Sequence, residues 1–151
     1  MKTVGYAHRI DIAALPSQVW ASLTDQKLLA RWMGPDVRIK PREGGSFVGS
    51  LAPGLAREAL IDVFDAPRRL RLIYQSPPDL PPFDGAVVDD YMLDPHANHT
   101  IVRLLVSGIP EVRGWDVHYA RLRGASERAL GRLKVLTEQG ARSSAPAGGS
   151  K

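Results

Sequence analysis

Apolar and polar residues alternate along the first segment of the chain, between positions 3 and 13. Every second residue there belongs to one mostly apolar set, which consists of Val4, Tyr6, His8, Ile10 and Ile12. A period of two is typical of a β-strand with one buried face. The pattern therefore predicts a first strand over 3–13, whose inner face carries Tyr6 and His8 beside the isoleucines.

The next segment, LPSQVWASLTDQKLLARWMGP, changes to helical spacing. Pro16 suits the first helical turn because its backbone angle is already close to the helical value. Thr24-Asp25 supplies an N-cap for a second short helix. Apolar residues three and four positions apart share a helix face, so the spacing predicts two short helices that direct Trp20 and Trp32 inward.

Short alternating runs separated by turn residues fill the chain between positions 37 and 107. They show no βαβ rhythm and so favour an antiparallel meander, with about six strands in total. The segment QSPPDLPPFD at 75–84 contains four prolines and is predicted to be a loop. The GIP triplet at 108–110 is predicted to end the sheet.

One long amphipathic helix is predicted from VRGWDVHYARLRGASERALGRLKVLTEQ. Its apolar stripe consists of Trp115, Tyr119, Leu122, Ala129, Leu133 and Leu136. Gly124 and Gly131 cost about 1 kcal/mol each relative to alanine and are expected to permit close packing or bending. Gly140 is predicted to cap the helix, so residues 1–139 form one domain and 140–151 a disordered tail.

Composition narrows the function classes. The 151-residue chain has no cysteine, which excludes disulfides, thiolate zinc sites and cysteine nucleophiles and fits a reducing cytoplasm. No segment approaches the roughly 20 apolar residues of a membrane span, and the N-terminus lacks the core of a signal peptide. The 20 basic and 16 acidic residues form a mixed surface. We therefore expect a cytoplasmic protein that binds neither nucleic acid nor membrane.

Several segments together resemble a known superfamily. They are IDIAALPSQVWASLTDQKLLARWMGP, GGSF, DAPRRLRLIY, TIVRLLVSGIP and the GW pair before the last helix. In this order they resemble the SRPBCC superfamily, whose members are START-like or birch-pollen-allergen-like proteins. The nearest branch is similar to the activator of the heat-shock-protein-90 ATPase and is often labelled polyketide-cyclase-like. The resemblance covers residues 4–138.

The resemblance implies an α+β helix-grip fold, in which a curved antiparallel sheet wraps around the C-terminal helix and leaves an apolar cavity. Within it, strand parity and helix spacing predict the ligand-binding residues Tyr6, His8, Trp32, Phe47, Tyr74, Tyr91, Leu93, Trp115 and Leu122. Apolar walls with a few polar groups are usual for small-molecule sites. The alternative is that these side chains fill the space and form an ordinary core.

Asp89, His118 and Tyr119 are the candidate catalytic residues. A carboxylate facing an apolar cavity would have a raised pKa and could act as a general acid or base. The competing interpretation places Asp89 in water at a strand end. His8 and His118 could orient a carbonyl or exchange protons near neutral pH, or each could bond a neighbouring backbone carbonyl.

Other motifs predict no site. Asp94, His96 and His99 fall in a turn whose chemistry explains them, so neither a metal nor a cofactor is expected. The arginines around the last helix are interpreted as solvated charge, with an anionic partner as the alternative.

Arg69 and Arg71 fall on the outer face of their predicted strand. Glu58 and Asp62 of the preceding strand are their predicted partners, since oppositely charged side chains of neighbouring strands form pairs on one face.

The leading functional hypothesis is a protein that binds a small, largely apolar molecule of aromatic, polyketide-like or lipid-like character. If it also transforms this molecule, cofactor-free cyclisation, dehydration or isomerisation is expected. The rival is a chaperone-associated interaction module, although we expect a lone domain without the additional N-terminal domain of the eukaryotic activators. A regulatory partner encoded beside a transcription factor is a third hypothesis. A homodimer is compatible with each.

Overall fold

The computed structural model describes residues 1–143, which form seven strands and three helices. In chain order these are β1 (Thr3–Ile12), α1 (Pro16–Thr24), α2 (Gln26–Met33), β2 (Arg38–Ile39), β3 (Ser46–Ser50), β4 (Ala56–Asp65), β5 (Arg69–Tyr74), β6 (Val87–His96), β7 (His99–Pro110) and α3 (Asp116–Ser143). The strands form one curved antiparallel sheet in the order β1-β7-β6-β5-β4-β3-β2. The predicted α+β helix-grip architecture is confirmed.

Local sequence explains the two short helices. Pro16 occupies the first turn of α1. The Asp25 carboxylate accepts hydrogen bonds from the backbone N–H groups of Lys27 and Leu28, at 3.0 and 3.2 Å, and so caps the start of α2. Gly34 ends α2 with a φ of 117°, which a residue without a Cβ adopts readily.

The core lies between α3 and the inner face of the sheet, and α1 and α2 close one end of it. The indole of Trp20 packs edge-on against Phe64, with 5.1 Å between ring centroids. The indole N–H of Trp32 donates to the carbonyl of Ser22 at 2.8 Å, and the hydroxyls of Ser22 and Thr137 are 2.9 Å apart. Both early tryptophans therefore belong to the core, and Trp32 lies beside the second half of α3.

The sheet continues beyond its predicted end. Strand β7 extends to Pro110, which pairs with Thr3. Gly108 permits this because it has a φ of 82° and passes so close to β6 that a Cβ there would lie 2.2 Å from the carbonyl oxygen of Ala86. The GIP triplet is part of the paired strand, and the prediction that it ends the sheet is wrong.

Both ends of the last helix also differ from prediction. α3 begins at Asp116, one residue after Trp115, and it continues through Gly140 to Ser143. The proposed cap at Gly140 is therefore incorrect, because the helical hydrogen bonding does not stop there. The rest of the predicted tail lies outside the described residues. Within residues 1–143, no helix has the length and apolar character needed to cross a bilayer.

Candidate functional site

A cavity of about 280 Å³ lies between the sheet and the first two turns of α3, away from α1 and α2. Its apolar wall includes Tyr74, Val87, Trp115 and Leu122, and its polar wall includes Arg57 and His118. A mostly apolar hollow with few polar groups is the usual form of a small-molecule site. This volume is near the lower end of the range for such sites.

The polar wall contains a buried ion pair. Arg57 of β4 reaches across β5 to Asp89 of β6, and its two terminal nitrogens each donate to one carboxylate oxygen at 3.0 Å. The side chains are 7% and 1% exposed. Such parallel hydrogen bonds fix both groups in one geometry. Asp89 is therefore neither in water nor alone in an apolar cavity, contrary to both interpretations of the sequence.

Arg57 keeps its charge in this position. Burial alone would lower the pKa of its guanidinium, but the adjacent Asp89 carboxylate raises it above the ordinary value. The guanidinium carbon lies 3.5 Å from the ring centroid of Tyr74, a cation–π contact. Among residues 1–143, only Asp89 accepts hydrogen bonds from this guanidinium. Its remaining N–H donors are thus available to a molecule in the cavity.

The buried tyrosines remain protonated. Burial raises the pKa of Tyr6, Tyr74 and Tyr91 above the ordinary value, and the negative charge of Asp89 adds to this effect in each case. A phenol whose pKa is raised is a poor source of phenolate near neutral pH. These side chains therefore act as neutral hydrogen-bonding groups.

His118 is the titratable group in the cavity wall that changes charge nearest to neutral pH. Burial lowers its pKa from the ordinary value, and the positive charges of Arg57 and Arg121 lower it further. Its ring packs edge-on against Trp115, with centroids 5.3 Å apart. The imidazole is accordingly neutral at pH 7. It can accept one hydrogen bond and donate another.

The proline-rich loop 75–84 covers the cavity. The indole N–H of Trp115 donates to the carbonyl of Pro81 at 2.9 Å, and Phe83 packs edge-on against the same indole at 5.2 Å. Ser76, Pro77 and Pro78 belong to the cavity lining. The sequence predicted this loop, but not its place above the site.

The structure brings together four of the predicted site residues at the cavity: Tyr74, Trp115, His118 and Leu122. The other predicted residues do not border it: Tyr6, His8, Trp32, Phe47, Asp89, Tyr91, Leu93 and Tyr119. Asp89 contributes indirectly by pairing with Arg57. Most of the others do point inward as parity predicted, but parity cannot distinguish an inner side chain that packs against α3 from one that borders a hollow.

Three of these residues instead attach α3 to β1. The hydroxyl of Tyr6 lies 2.8 Å from the hydroxyl of Ser126, and Tyr119 donates to the carbonyl of Gly5 at 3.2 Å. His8 is bonded through Nε2 to the carbonyl of Arg123 at 3.0 Å. This contact is the structural alternative considered for His8. We assign these residues a positioning role for α3.

Arg57 is the residue of the site that the sequence reasoning missed. It shares the strand face of Ala59 and Ile61, which are both buried. An arginine on a buried strand face needs an anionic partner. Asp89, on the inner face of its own strand, was the available candidate.

The outer face of the sheet carries its own ion pairs. Arg71 pairs with Asp62 at 2.8 Å, as predicted. Arg69 pairs with Asp90, also at 2.8 Å, and not with Glu58. The register excludes Glu58, because Arg69 lies opposite Asp65 and Glu58 lies at the other end of the β4–β5 pair, beyond Ala59 and Tyr74. Asp90 is a diagonal neighbour of Arg69 on β6, since Asp90 lies opposite Arg71. Within residues 1–143, no three His, Asp or Glu side chains cluster as metal ligands would.

Comparisons with known proteins agree with this architecture. Residues 13–138 match the family model described as Activator of Hsp90 ATPase homolog 1-like protein. The chain therefore belongs to this family, and its fold is that of the SRPBCC domains. No curated protein sequence matches the chain.

Three solved structures illustrate the likeness. Protein MLL2253 from Mesorhizobium loti has a TM-score of 0.77 at 21% identity, over 91% of this chain and 98% of that one. The Aha1 dimer from Colwellia psychrerythraea has a TM-score of 0.69 and 18% sequence identity, and the match covers 87% of this chain and 97% of that one. CalU16 from Micromonospora echinospora has a TM-score of 0.62 and 16% sequence identity, and the match covers 95% of this chain and 96% of that one. At these identities the likeness establishes the fold.

Proposed function

We propose that this protein binds a small, flat, uncharged molecule that carries one acceptor oxygen, in the cavity beside the start of α3. The observation that carries the proposal is the buried guanidinium of Arg57, which faces an otherwise mostly apolar hollow with unused N–H donors. A ligand carbonyl or phenol oxygen would satisfy these donors. The aromatic walls, Tyr74 and Trp115, favour a flat ligand.

The charge balance of the site supports an uncharged ligand. Asp89 neutralises Arg57, and the lowered pKa of His118 keeps the imidazole neutral at pH 7. Glu58 also lines the site, but it is an exposed residue whose carboxylate is hydrated. An ion placed beside Arg57 would therefore lose its hydration without a buried charged partner of its own. A neutral aromatic molecule loses little hydration and gains apolar contact.

Binding is better supported than acid–base catalysis by Asp89. Each of its carboxylate oxygens already accepts from Arg57 at 3.0 Å, so the group is held as a partner for a cation. In the event of turnover, His118 is the proton-transfer residue that the geometry favours. Location in the cytoplasm and homodimer formation stay part of this proposal. The Colwellia protein, which is described as a dimer, is consistent with the second.

The first experiment is native mass spectrometry of the freshly purified protein, followed by denaturing extraction to release any co-purified small molecule. The second compares 2-naphthol with 2-naphthoate by saturation-transfer NMR at pH 7. We expect 2-naphthol to bind and the carboxylate analogue to bind at least about tenfold more weakly, a difference of about 1.4 kcal/mol. Equal binding of the two, or no binding of either, would contradict the proposal.

A pair of variants tests the location. Val87→Phe adds volume inside the cavity and should abolish naphthol binding, because Val87 is 7% exposed and borders the hollow. Leu105→Phe adds an aromatic ring on the outer face of β7, where Leu105 is 45% exposed. It should leave binding unchanged. Loss of binding in both variants would place the site elsewhere.

A further inference from the structure

A second surface of the molecule lies between α2 and the C-terminal half of α3, away from the cavity. Two adjoining grooves of about 500 and 440 Å³ share Arg31, Leu136 and Gln139 in their walls. Arg128 and Arg132 line the first groove and Arg142 the second. We use the name helix groove for this continuous surface.

The helix groove is strongly cationic. Four arginines line it, and no aspartate or glutamate among the described residues does. Within the described part of the chain, none of the four is in an ion pair. Arg132 has a structural role, because it donates hydrogen bonds to the backbone carbonyls of Trp32 and Leu51 at 2.8 and 3.3 Å. It holds α3 against α2 and keeps the groove in shape.

One carboxylate lies close enough to influence the end of the groove. Burial alone would raise the pKa of Glu138, and the positive charge of Arg142 is among the causes that lower it. The Glu138 carboxylate, however, accepts hydrogen bonds from the backbone N–H of Ala13 at 2.8 Å and from Lys134 at 2.7 Å. Its charge is therefore already shared with other groups. The arginine charge of the groove remains largely uncompensated.

The floor of the groove is apolar and partly open. Val135 is 56% exposed and lies in the groove with Trp32 and Leu136. A Cβ atom added at Gly131 would meet no atom within 4 Å. A glycine inside a helix lowers helix stability, and here no close packing requires it. The expectation that Gly131 permits close packing is thus not met. Its effect is to leave the middle of the groove empty.

We propose that the helix groove binds an acidic, amphipathic segment of a partner protein. Carboxylates of the segment would pair with Arg31, Arg128 and Arg142, and an apolar side chain would occupy the space above Gly131. From position 128 to position 142 the helix rises roughly 21 Å. An extended segment of about six residues, or a helix of about 14, covers this length.

The shape of the surface favours a narrow protein segment over other polyanions. The floor lies between two helices that pack side by side and is shallow and open, since Val135 in it is 56% exposed. The cationic strip is nevertheless narrow, because α2 contributes only Arg31 and Trp32 to the described walls. A single peptide segment matches a narrow strip of roughly 21 Å, whereas a membrane surface or a DNA duplex extends well beyond it. A peptide reaches both the floor and the arginines. The groove shares no lining residue with the cavity. The proposal of peptide binding and the proposal of small-molecule binding are therefore tested independently.

The test uses a fluorescein-labelled peptide of about 14 residues made of glutamate and leucine in helical amphipathic order, followed by fluorescence anisotropy with the full-length protein. The matched peptide has glutamine in place of glutamate. We expect the acidic peptide to bind, with an affinity that falls as salt is raised because the contacts are exposed charge pairs. We expect the glutamine peptide to bind at least about tenfold more weakly.

Variants locate the contact. Arg31→Glu combined with Arg128→Glu should weaken acidic-peptide binding at least about tenfold, because two attractive contacts become repulsive. The variant should fold, since neither arginine forms an ion pair within residues 1–143. Gly131→Leu should remove binding while it preserves or raises the melting temperature, because the new side chain enters open space. The control combines Arg42→Glu with Arg123→Glu, which makes the same total charge change on two exposed residues outside the groove.

The inference is overturned if the acidic peptide does not bind, if the glutamine peptide binds equally well, or if Gly131→Leu and the double variant bind as the unaltered protein does. Vesicles containing phosphatidylglycerol and a duplex DNA oligonucleotide are tested in parallel. Tighter binding of either than of the peptide, lost in the same double variant, would replace the proposed partner with a membrane or a nucleic acid.

Discussion

The two halves of α3 pack against one sheet, but only the first half borders a cavity on the side that faces the sheet. In the second half, Ala129, Leu133 and Thr137 are buried where α1 and α2 close the core. In the first half, Leu122 borders the cavity together with Trp115, the residue directly before α3. The difference lies in what covers each end. Two helices with large side chains fill one end, whereas a proline-rich loop spans the other without filling it.

The comparison also concerns charge. At the hollow end, Arg57 is buried with one carboxylate partner. At the filled end, exposed arginines line the helix groove, and no carboxylate of residues 1–143 lies in its walls. Burial explains the contrast, because a buried charge without a partner is costly and an exposed one is hydrated. An unpaired arginine on the surface is therefore available to a partner in a way that Arg57 is not.

The largest expected effect comes from breaking the buried pair at the hollow end. Asp89→Asn leaves the Arg57 charge buried without a counter-charge and should lower the free energy of unfolding by about 3–5 kcal/mol. Urea denaturation measures this loss. Combining Arg57→Met with Asp89→Leu should recover much of it, because a neutral apolar pair has no uncompensated charge.

The neighbouring residue provides the matched control for that substitution. Asp90→Asn breaks a pair of the same two residue types, but the partner Arg69 lies on the outer face with its side chain 44% exposed. Solvent screens such a pair, so the loss should be clearly smaller. If the two asparagine variants are equally stable, the Asp89 pair is not buried as described.

The next effect compares two leucines of α3. Leu133→Ala removes a fully buried side chain from the filled end and should cost about 2–5 kcal/mol. Leu122→Ala should cost less, since Leu122 already borders an empty space and therefore loses fewer contacts. Urea denaturation gives both values. Only Leu122→Ala should change the affinity for 2-naphthol. A larger loss of stability in Leu122→Ala than in Leu133→Ala would mean that the cavity lies elsewhere.

The smallest effect is a pH dependence at the filled end. Burial alone would raise the pKa of Glu138, but bonds from the Ala13 N–H and Lys134 lower it below its ordinary value of 4.5. Because the pKa of Glu138 is lower in the folded than in the unfolded state, its charged form contributes to the free energy of unfolding. This contribution is fully present above pH 4.5 and is lost as the pH falls through the folded-state pKa.

Melting temperatures measured between pH 7 and pH 3 check this sign. Glu138→Gln should melt below the unaltered protein at pH 7, and the gap should close as the pH falls below 4.5. Glu127→Gln, which changes an exposed residue of the same helix, should show no such convergence. A gap that stays constant down to pH 3 would show that the Glu138 charge does not support the fold.

The periodicity of apolar residues was sufficient to predict the helices and strands, and also which face of most of them is buried. Alternation at β1 placed Tyr6 inside, and the spacing of α3 placed Trp115, Leu122 and Leu133 on its buried side. These predictions succeed because a strand or helix repeats its geometry from residue to residue. The family membership followed from the same segments in order, and the match over 13–138 confirms it.

Other features depended on contacts between distant segments. Arg57 meets Asp89 across an intervening strand, 32 positions along the chain. Trp32 lies against the filled end and not the cavity, and Arg31 comes beside Arg128 only because α2 packs on α3. A repeating pattern reveals which side of an element is buried, but not what fills the space it faces. The sequence alone therefore determined the elements and the inner faces, whereas tertiary packing decided where the hollow lies and which arginines remain unpaired.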